Sequence, residues 1–124
     1  MCVQSSFGYF QPEVIVEWIE VCSLFEVTRF NIYNAPSTTN LSKIFNYYVD
    51  KGLVELRQML PAVEDFSENG VRLNSSASLN DCILCNMYSN RYVVVVDYDE
   101  IIVARLDDNY TAMLEHVNIE FYHD

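Results

Sequence analysis

Asp97, Asp99 and Glu100 follow directly on the run Tyr92-Val93-Val94-Val95-Val96, with Tyr98 standing between the two aspartates. Carboxylates one residue apart repel each other unless protons or a cation hold them together. Side chains that offer only oxygen select a hard divalent ion, Mn²⁺ or Mg²⁺, and such ions are commonly shared with a phosphate. Asp97 and Asp99 are therefore the candidate metal ligands, and Glu100 can orient them from behind. The competing reading is an acidic turn capping a core strand, because Asp-x-Asp alone is a short pattern.

The run resumes as Ile101-Ile102-Val103, and apolar residues at nearly every position suit a strand buried on both faces, in the middle of a mostly parallel sheet. Acids at the carboxyl end of such a strand occupy the place where open α/β sheets gather ligands.

The elements that must position this strand can be read on either side of it. Residues 3–7 suit a first strand. A helix over 11–25 carries Pro12 in its first turn, where the missing N–H costs nothing. Its spacing turns Val14, Trp18, Val21, Cys22 and Phe25 inward and Glu13, Glu17, Glu20 and Ser23 outward, which makes Trp18 a core residue and not a sugar platform. Residues 28–33 alternate as a second strand and end at Asn34-Ala35-Pro36-Ser37, a turn-forming cluster. Leu41, Ile44, Phe45, Tyr48 and Val49 mark a second helix, entered through Thr39 or Asn40 and stopped by Gly52, and 54–58 form a third strand.

From 60 to 74 the periodicity fails, and Pro61, Asn69 and Gly70 suggest a long exposed loop. Leu79, Cys82, Ile83, Asn86 and Met87 then mark a helix capped near Ser76 or Ser78. After the acidic strand, Asp107 or Asp108 caps a short helix over 110–117, and 119–122 resemble a last strand. Strand and helix alternate, so the expected fold is α/β, a mostly parallel sheet with helices on both faces, in one domain over 1–124.

Composition excludes several classes. With 18 acidic against 7 basic side chains, the net charge of −11 opposes non-specific binding to nucleic acid or to anionic membrane, and an anionic substrate must arrive with a metal. No apolar stretch approaches a membrane span and no targeting signal is recognisable. Cys2, Cys22, Cys82 and Cys85 are too few for a disulfide scaffold and lack the histidines of a zinc site. Cys82-Ile83-Leu84-Cys85 has redox-motif spacing but lies inside a helical pattern and not at a helix start after a strand, so a buried thiol, or a structural disulfide such as Cys2 to Cys82, is the reading preferred over a redox site. Asn40-Leu41-Ser42, Asn74-Ser75-Ser76 and Asn109-Tyr110-Thr111 fit the N-glycosylation acceptor pattern, which lends mild support to a secretory lumen.

Two family resemblances follow from these residues. Residues 93–101 are similar to the first motif of haloacid-dehalogenase-like phosphohydrolases, which would make Asp97 a nucleophile. Those enzymes, however, open their sheet with this strand, whereas here three strands precede it. The broader pattern resembles glycosyltransferase family 92. It is carried by Cys2-Val3-Gln4, Val16-Glu17-Trp18-Ile19-Glu20, Phe30-Asn31-Ile32-Tyr33-Asn34 and Tyr47-Tyr48-Val49-Asp50-Lys51-Gly52-Leu53-Val54-Glu55. Leu79-Asn80-Asp81-Cys82 and the stretch from Arg91 to Glu100 continue it.

That resemblance implies a GT-A (Rossmann-like) half domain and a metal-dependent hexosyltransferase that moves galactose from UDP-galactose to a glycan acceptor. It implies Mn²⁺ or Mg²⁺ at Asp97 and Asp99, with Asp97 also near the ribose. Asn34, at a strand end, and Asn80 and Asp81, in the helix leading to the motif, are the candidate nucleoside contacts, each also readable as a plain turn or helix residue. Arg57 or Arg72 could meet phosphate. The family is a group of type II membrane proteins of the Golgi lumen, anchored by a segment not found in this chain. Ala104 departs from the proline usual after the acidic strand, and Ser75-Ser76 depart from the usual lead-in. The GT-A acceptor half and catalytic base have no counterpart here, so the expectation is a truncated, inactive fragment that retains metal and donor binding. A non-catalytic α/β interaction module is the reading from another class.

Overall fold

The computed structural model describes residues 1–3, 11–33, 39–57 and 68–121. Asn34, most of the expected first strand and the side chain of Arg72 lie outside the described residues. The elements in chain order are β1 (Cys2–Val3), α1 (Pro12–Leu24), β2 (Phe30–Tyr33), α2 (Thr39–Asp50), β3 (Val54–Arg57), α3 (Glu68–Asn86), β4 (Val95–Val96) and α4 (Tyr110–Phe121). The strands form one sheet in the order β3, β2, β1, β4, and every pair is parallel. The α/β architecture expected from the alternating pattern is the one observed, a Rossmann-like half domain.

Register assigns the residues to two faces. Cys2 lies beside Asn31 and Val95, and Val3 beside Ile32 and Val96, while Phe30 pairs with Val54 and Tyr33 with Arg57. Because side chains alternate along a strand, Val3, Phe30, Ile32, Val54 and Val96 share one face. There they join Ile15, Trp18, Ile19 and Cys22 of α1 and Leu41, Phe45 and Tyr48 of α2 in the main core. Cys2, Tyr33 and Cys82 form a smaller cluster with α3 on the opposite face. A disulfide joins Cys2 to Cys82, which fastens α3 to the strand beneath it. This is the disulfide the sequence reading preferred to a redox pair, and Cys85 is left as a free, exposed thiol.

Local chemistry explains most of the boundaries. Pro12 opens α1. Gly52 ends α2 with φ +73°, a left-handed conformation in which Leu53 donates its N–H to the Tyr48 carbonyl and closes the helix end. The buried stripe of α1 is Ile15, Trp18, Ile19 and Cys22; Val14 lies 38% exposed, so the inward face is rotated from the expected one. Trp18 is core, at 2% exposure.

Four expectations are corrected. The helix expected near Ser76 or Ser78 begins at Glu68, inside the span read as a loop. Asn69 and Gly70 fall in its first turn, where backbone N–H groups have no helical partner in any case and breaker residues cost least. At the other end Asn109, not Asp107 or Asp108, caps α4: its Oδ1 accepts the Ala112 N–H at 2.8 Å. The helix then continues to Phe121, through residues read as a last strand. Finally, β4 is a two-residue strand at one edge of the described sheet and not a long central one. Beyond Val96 the backbone turns, with the Glu100 N–H donating to the Asp97 carbonyl at 3.1 Å, so Ile101, Ile102 and Val103 leave the ladder and stay exposed.

Candidate functional site

The turn after β4 is held by its middle residue. Tyr98 is 3% exposed and sits in the main core, where its ring meets Trp18 edge-on at 5.7 Å and lies 6.4 Å from Phe45. The Trp18 indole N–H donates to the Glu100 carbonyl at 2.8 Å, so α1 grips the far end of the same turn. With Tyr98 turned inward, its neighbours turn outward at the carboxyl end of the sheet: Asp97 half-buried, Asp99 exposed. Glu100 folds back and accepts the Asp97 N–H on its Oε2 at 3.1 Å. Glu100, expected to orient the two aspartates, makes this contact to the backbone of Asp97.

Burial, and then the charges of Glu100 and Asp99, push the Asp97 carboxyl above the usual carboxylate range. No basic side chain offsets these acids in any ion pair among the described residues. Nor does any set of three or more His, Cys, Asp or Glu side chains there stand ready to hold a metal ion. The turn fits a cation that brings other oxygen ligands with it, such as those of a phosphate and water, and does not fit a closed protein cage.

A second polar group lies farther along the same carboxyl edge. Register places Tyr33 and Arg57 side by side at the ends of β2 and β3. Asp81 comes down from α3 to meet them, accepting the Tyr33 hydroxyl at 2.7 Å and an Arg57 Nη1 at 3.2 Å on the same oxygen. Arg57 also grips Glu55 through Nε and Nη2, at 3.0 and 2.9 Å. The Tyr33 hydrogen bond, reinforced by Arg57, holds the Asp81 carboxyl below its usual range. Burial, together with the hydrogen bond to Asp81, raises the Tyr33 phenol.

The structure therefore brings the sequence candidates into two groups. Asp97 and Asp99 share the β4 turn, while Asp81 joins Arg57. Asn80 stands exposed beside Asp81 on α3 and has no hydrogen bond to this group among the described residues. Arg57, considered for phosphate, is already paired with two carboxylates. Sequence reading missed Tyr33 and Glu55 as members of this group, and missed Tyr98 as the anchor of the acidic turn. The Tyr33 to Arg57 pairing follows only from strand register; the aromatic between two aspartates was a visible signal for the anchor.

Neither the curated proteins nor the solved structures contain a match to the chain. A family model does match it, over residues 1–122, and so takes in both polar groups and every element that positions them. The phosphohydrolase resemblance, by contrast, rests on one strand alone. A match across essentially the whole sequence shows the family: the chain belongs to glycosyltransferase family 92.

Proposed function

We propose that this glycosyltransferase binds a UDP-hexose, with galactose as the sugar, through a divalent cation at Asp97 and Asp99, for transfer to a glycan acceptor. The observation that carries the reading is the Asp97-Tyr98-Asp99 turn. Its central ring is locked into the core while both carboxylates face out at the end of the sheet, with no cationic side chain paired to them among the described residues. Such a turn is pre-organised to receive positive charge at the place where α/β sheets receive ligands.

Departure of UDP from an anomeric carbon leaves charge on a diphosphate oxygen, and a bound Mn²⁺ or Mg²⁺ supplies Lewis-acid neutralisation of that charge. Asp99, the more exposed carboxylate, is the proposed direct ligand. Asp97 is the second ligand or the contact to the ribose, and Glu100 keeps the turn in shape through the Asp97 N–H. On the neighbouring strands, Asp81 is proposed to meet the nucleoside with its remaining acceptor capacity, oriented by Tyr33 and Arg57. Asn80 and Asn34 complete the proposed nucleoside contacts. By family resemblance the chain works in the Golgi lumen as part of an anchored protein. No described helix is long and apolar enough to cross a membrane.

The test is calorimetric titration of UDP-galactose into the purified chain with and without Mn²⁺, repeated on Asp99→Ala. Binding that requires Mn²⁺ and is lost in the variant supports the donor site. A folded chain that binds no UDP-sugar under either condition overturns it and leaves the acidic turn as a structural feature. Release of inorganic phosphate from a simple phosphoester, lost in Asp97→Asn, would instead favour a phosphohydrolase.

A further inference from the structure

The fold separates the three tripeptides that fit the N-glycosylation pattern. Asn40 and Asn74 lie inside the helical spans of α2 and α3. Asn109 instead stands just before α4, at the end of the irregular stretch that follows the acidic turn.

The Asn109 carboxamide is divided between the fold and solvent. Its Oδ1 caps α4 by accepting the Ala112 N–H at 2.8 Å. Because a carboxamide is planar, an oxygen aimed at the helix turns the amino group away from it, and Nδ2 makes no hydrogen bond among the described residues. Nδ2 is the atom that carries an N-linked sugar, so a glycan there leaves the cap in place. Asn109 is partly exposed and Thr111, which completes the tripeptide, is exposed. Tyr110 between them is buried; its ring stacks on Phe25 at 4.9 Å and its N–H donates to the Phe25 carbonyl at 3.3 Å. The inward residue thus fixes the two that the modification needs outside.

Phe25 follows the end of α1, on the way to the start of β2, so this anchor stands at the amino ends of the strands. The acidic turn follows the carboxyl end of β4. In a sheet whose strands all run parallel, a glycan on Asn109 and a donor at Asp97 and Asp99 therefore occupy opposite ends.

Two further observations favour a glycan at this place. The stretch running into Asn109 carries Val103 at 62% and Leu106 at 86% exposure. Apolar side chains left open on one short segment invite association, and a hydrated oligosaccharide beside them screens it. The buried Cys2 to Cys82 disulfide, in turn, belongs to an oxidising compartment, the kind in which secreted chains receive sugars on asparagine.

We infer that Asn109 is an N-glycosylation site of this protein. The inference rests on the lumenal placement proposed above and on nothing about the metal or the donor. The co-reactant is a lipid-linked diphospho-oligosaccharide. Asn109 Nδ2 bonds to its anomeric carbon, the bond from that carbon to the diphosphate oxygen breaks, Nδ2 gives up one proton, and the lipid diphosphate leaves.

The experiment is expression of the full chain behind a cleavable secretory leader in cultured eukaryotic cells. The whole lumenal pool, secreted or retained, is treated with peptide N-glycosidase F in heavy-oxygen water. Each glycosylated asparagine becomes a labelled aspartate, which peptide mass spectrometry locates. Label at position 109 in most of the chain is expected. Thr111→Ala breaks the acceptor pattern but keeps the Asn109 cap, so it should lose that label entirely and still fold by circular dichroism. Asn109→Asp keeps a capping oxygen and serves as the second variant; it should lack the mass of one glycan before enzyme treatment. An unlabelled Asn109 in the unmutated chain overturns the inference, as does label confined to Asn40 or Asn74. Label at 109 that persists in Thr111→Ala marks chemical deamidation and overturns it equally. The UDP-galactose titration is read separately, so a failed donor site leaves this result standing.

Discussion

The Trp18 indole N–H donates to the Glu100 carbonyl at 2.8 Å across 82 residues of sequence, and this one bond ties the first helix to the acidic turn. Trp18 also packs against Tyr98 in that turn. The core and the candidate site are thus not separate parts of the molecule; the same side chain belongs to both. Trp18→Phe keeps an aromatic ring in the core and removes the donor. It should cost about 1–2 kcal/mol in urea unfolding and weaken Mn²⁺-dependent UDP-galactose binding, with both carboxylates intact. Unchanged affinity in this variant would show that the turn holds its shape without the helix.

Tyr98 provides a stronger test of the same relationship. Truncation to Ala empties a core position and should cost about 3 kcal/mol or more. Metal-dependent donor binding should disappear at temperatures where the variant is still folded by circular dichroism. Tyr98→Phe, which retains the ring, should keep most of the binding.

The raised pKa of Asp97 has a defined sign. Burial and the neighbouring acids make the folded state bind its proton more tightly than the unfolded state does. Stability therefore falls as pH rises from the ordinary value of 3.8 through the folded value, and stays reduced above it. Asp97→Asn should raise the melting temperature at pH 7, by up to about 4 °C, while abolishing any stabilisation by Mn²⁺ with UDP. Thermal scans at pH 7 and pH 4 check this, since the benefit should shrink at the lower pH.

Asp81 carries the opposite sign. Its folded pKa is depressed by the Tyr33 hydrogen bond and by Arg57, so its contribution is present above the ordinary value of 3.8 and is lost as pH falls through the folded value. Asp81→Asn, or Tyr33→Phe, should flatten the acid limb of a stability curve measured below pH 4. The side chain is 46% exposed, so solvent screening keeps the effect small at neutral pH.

The disulfide closes a span of 80 residues between Cys2 and Cys82. Chain-entropy arguments assign such a link about 4 kcal/mol. The double variant Cys2→Ala, Cys82→Ala should lower the denaturant midpoint accordingly and remove its sensitivity to reductant. Cys22→Ala should leave that sensitivity intact, because Cys22 is a free thiol in the opposite core.

The sequence by itself determined the kinds and order of the elements from β1 to α4, but not the strand it suggested at 119–122, which is helix as far as Phe121. The helical spacing around Trp18 and Phe45, the stop at Gly52 and the acids after Val96 were legible because each depends on neighbours within one or two turns of chain. The family was legible for the same reason, as short segments in a recognisable order. Register, edge and partner were decided only by the tertiary structure. Val95 reads as interior, yet it is 38% exposed on a β4 that lies at one edge of the described sheet. Nothing within the valine run distinguishes a central strand from an edge. Asp81 reads as one more helix acid until α3 is laid over β2 and β3, where Tyr33 and Arg57 reach it. Asn31 reads as a polar residue in an alternating strand, yet it is 2% exposed and its amide oxygen is buried. Patterns along a chain report periodicity and local backbone preference. Which side chains meet across 24 to 82 residues depends on strand register and helix docking, and both are set by the whole core at once.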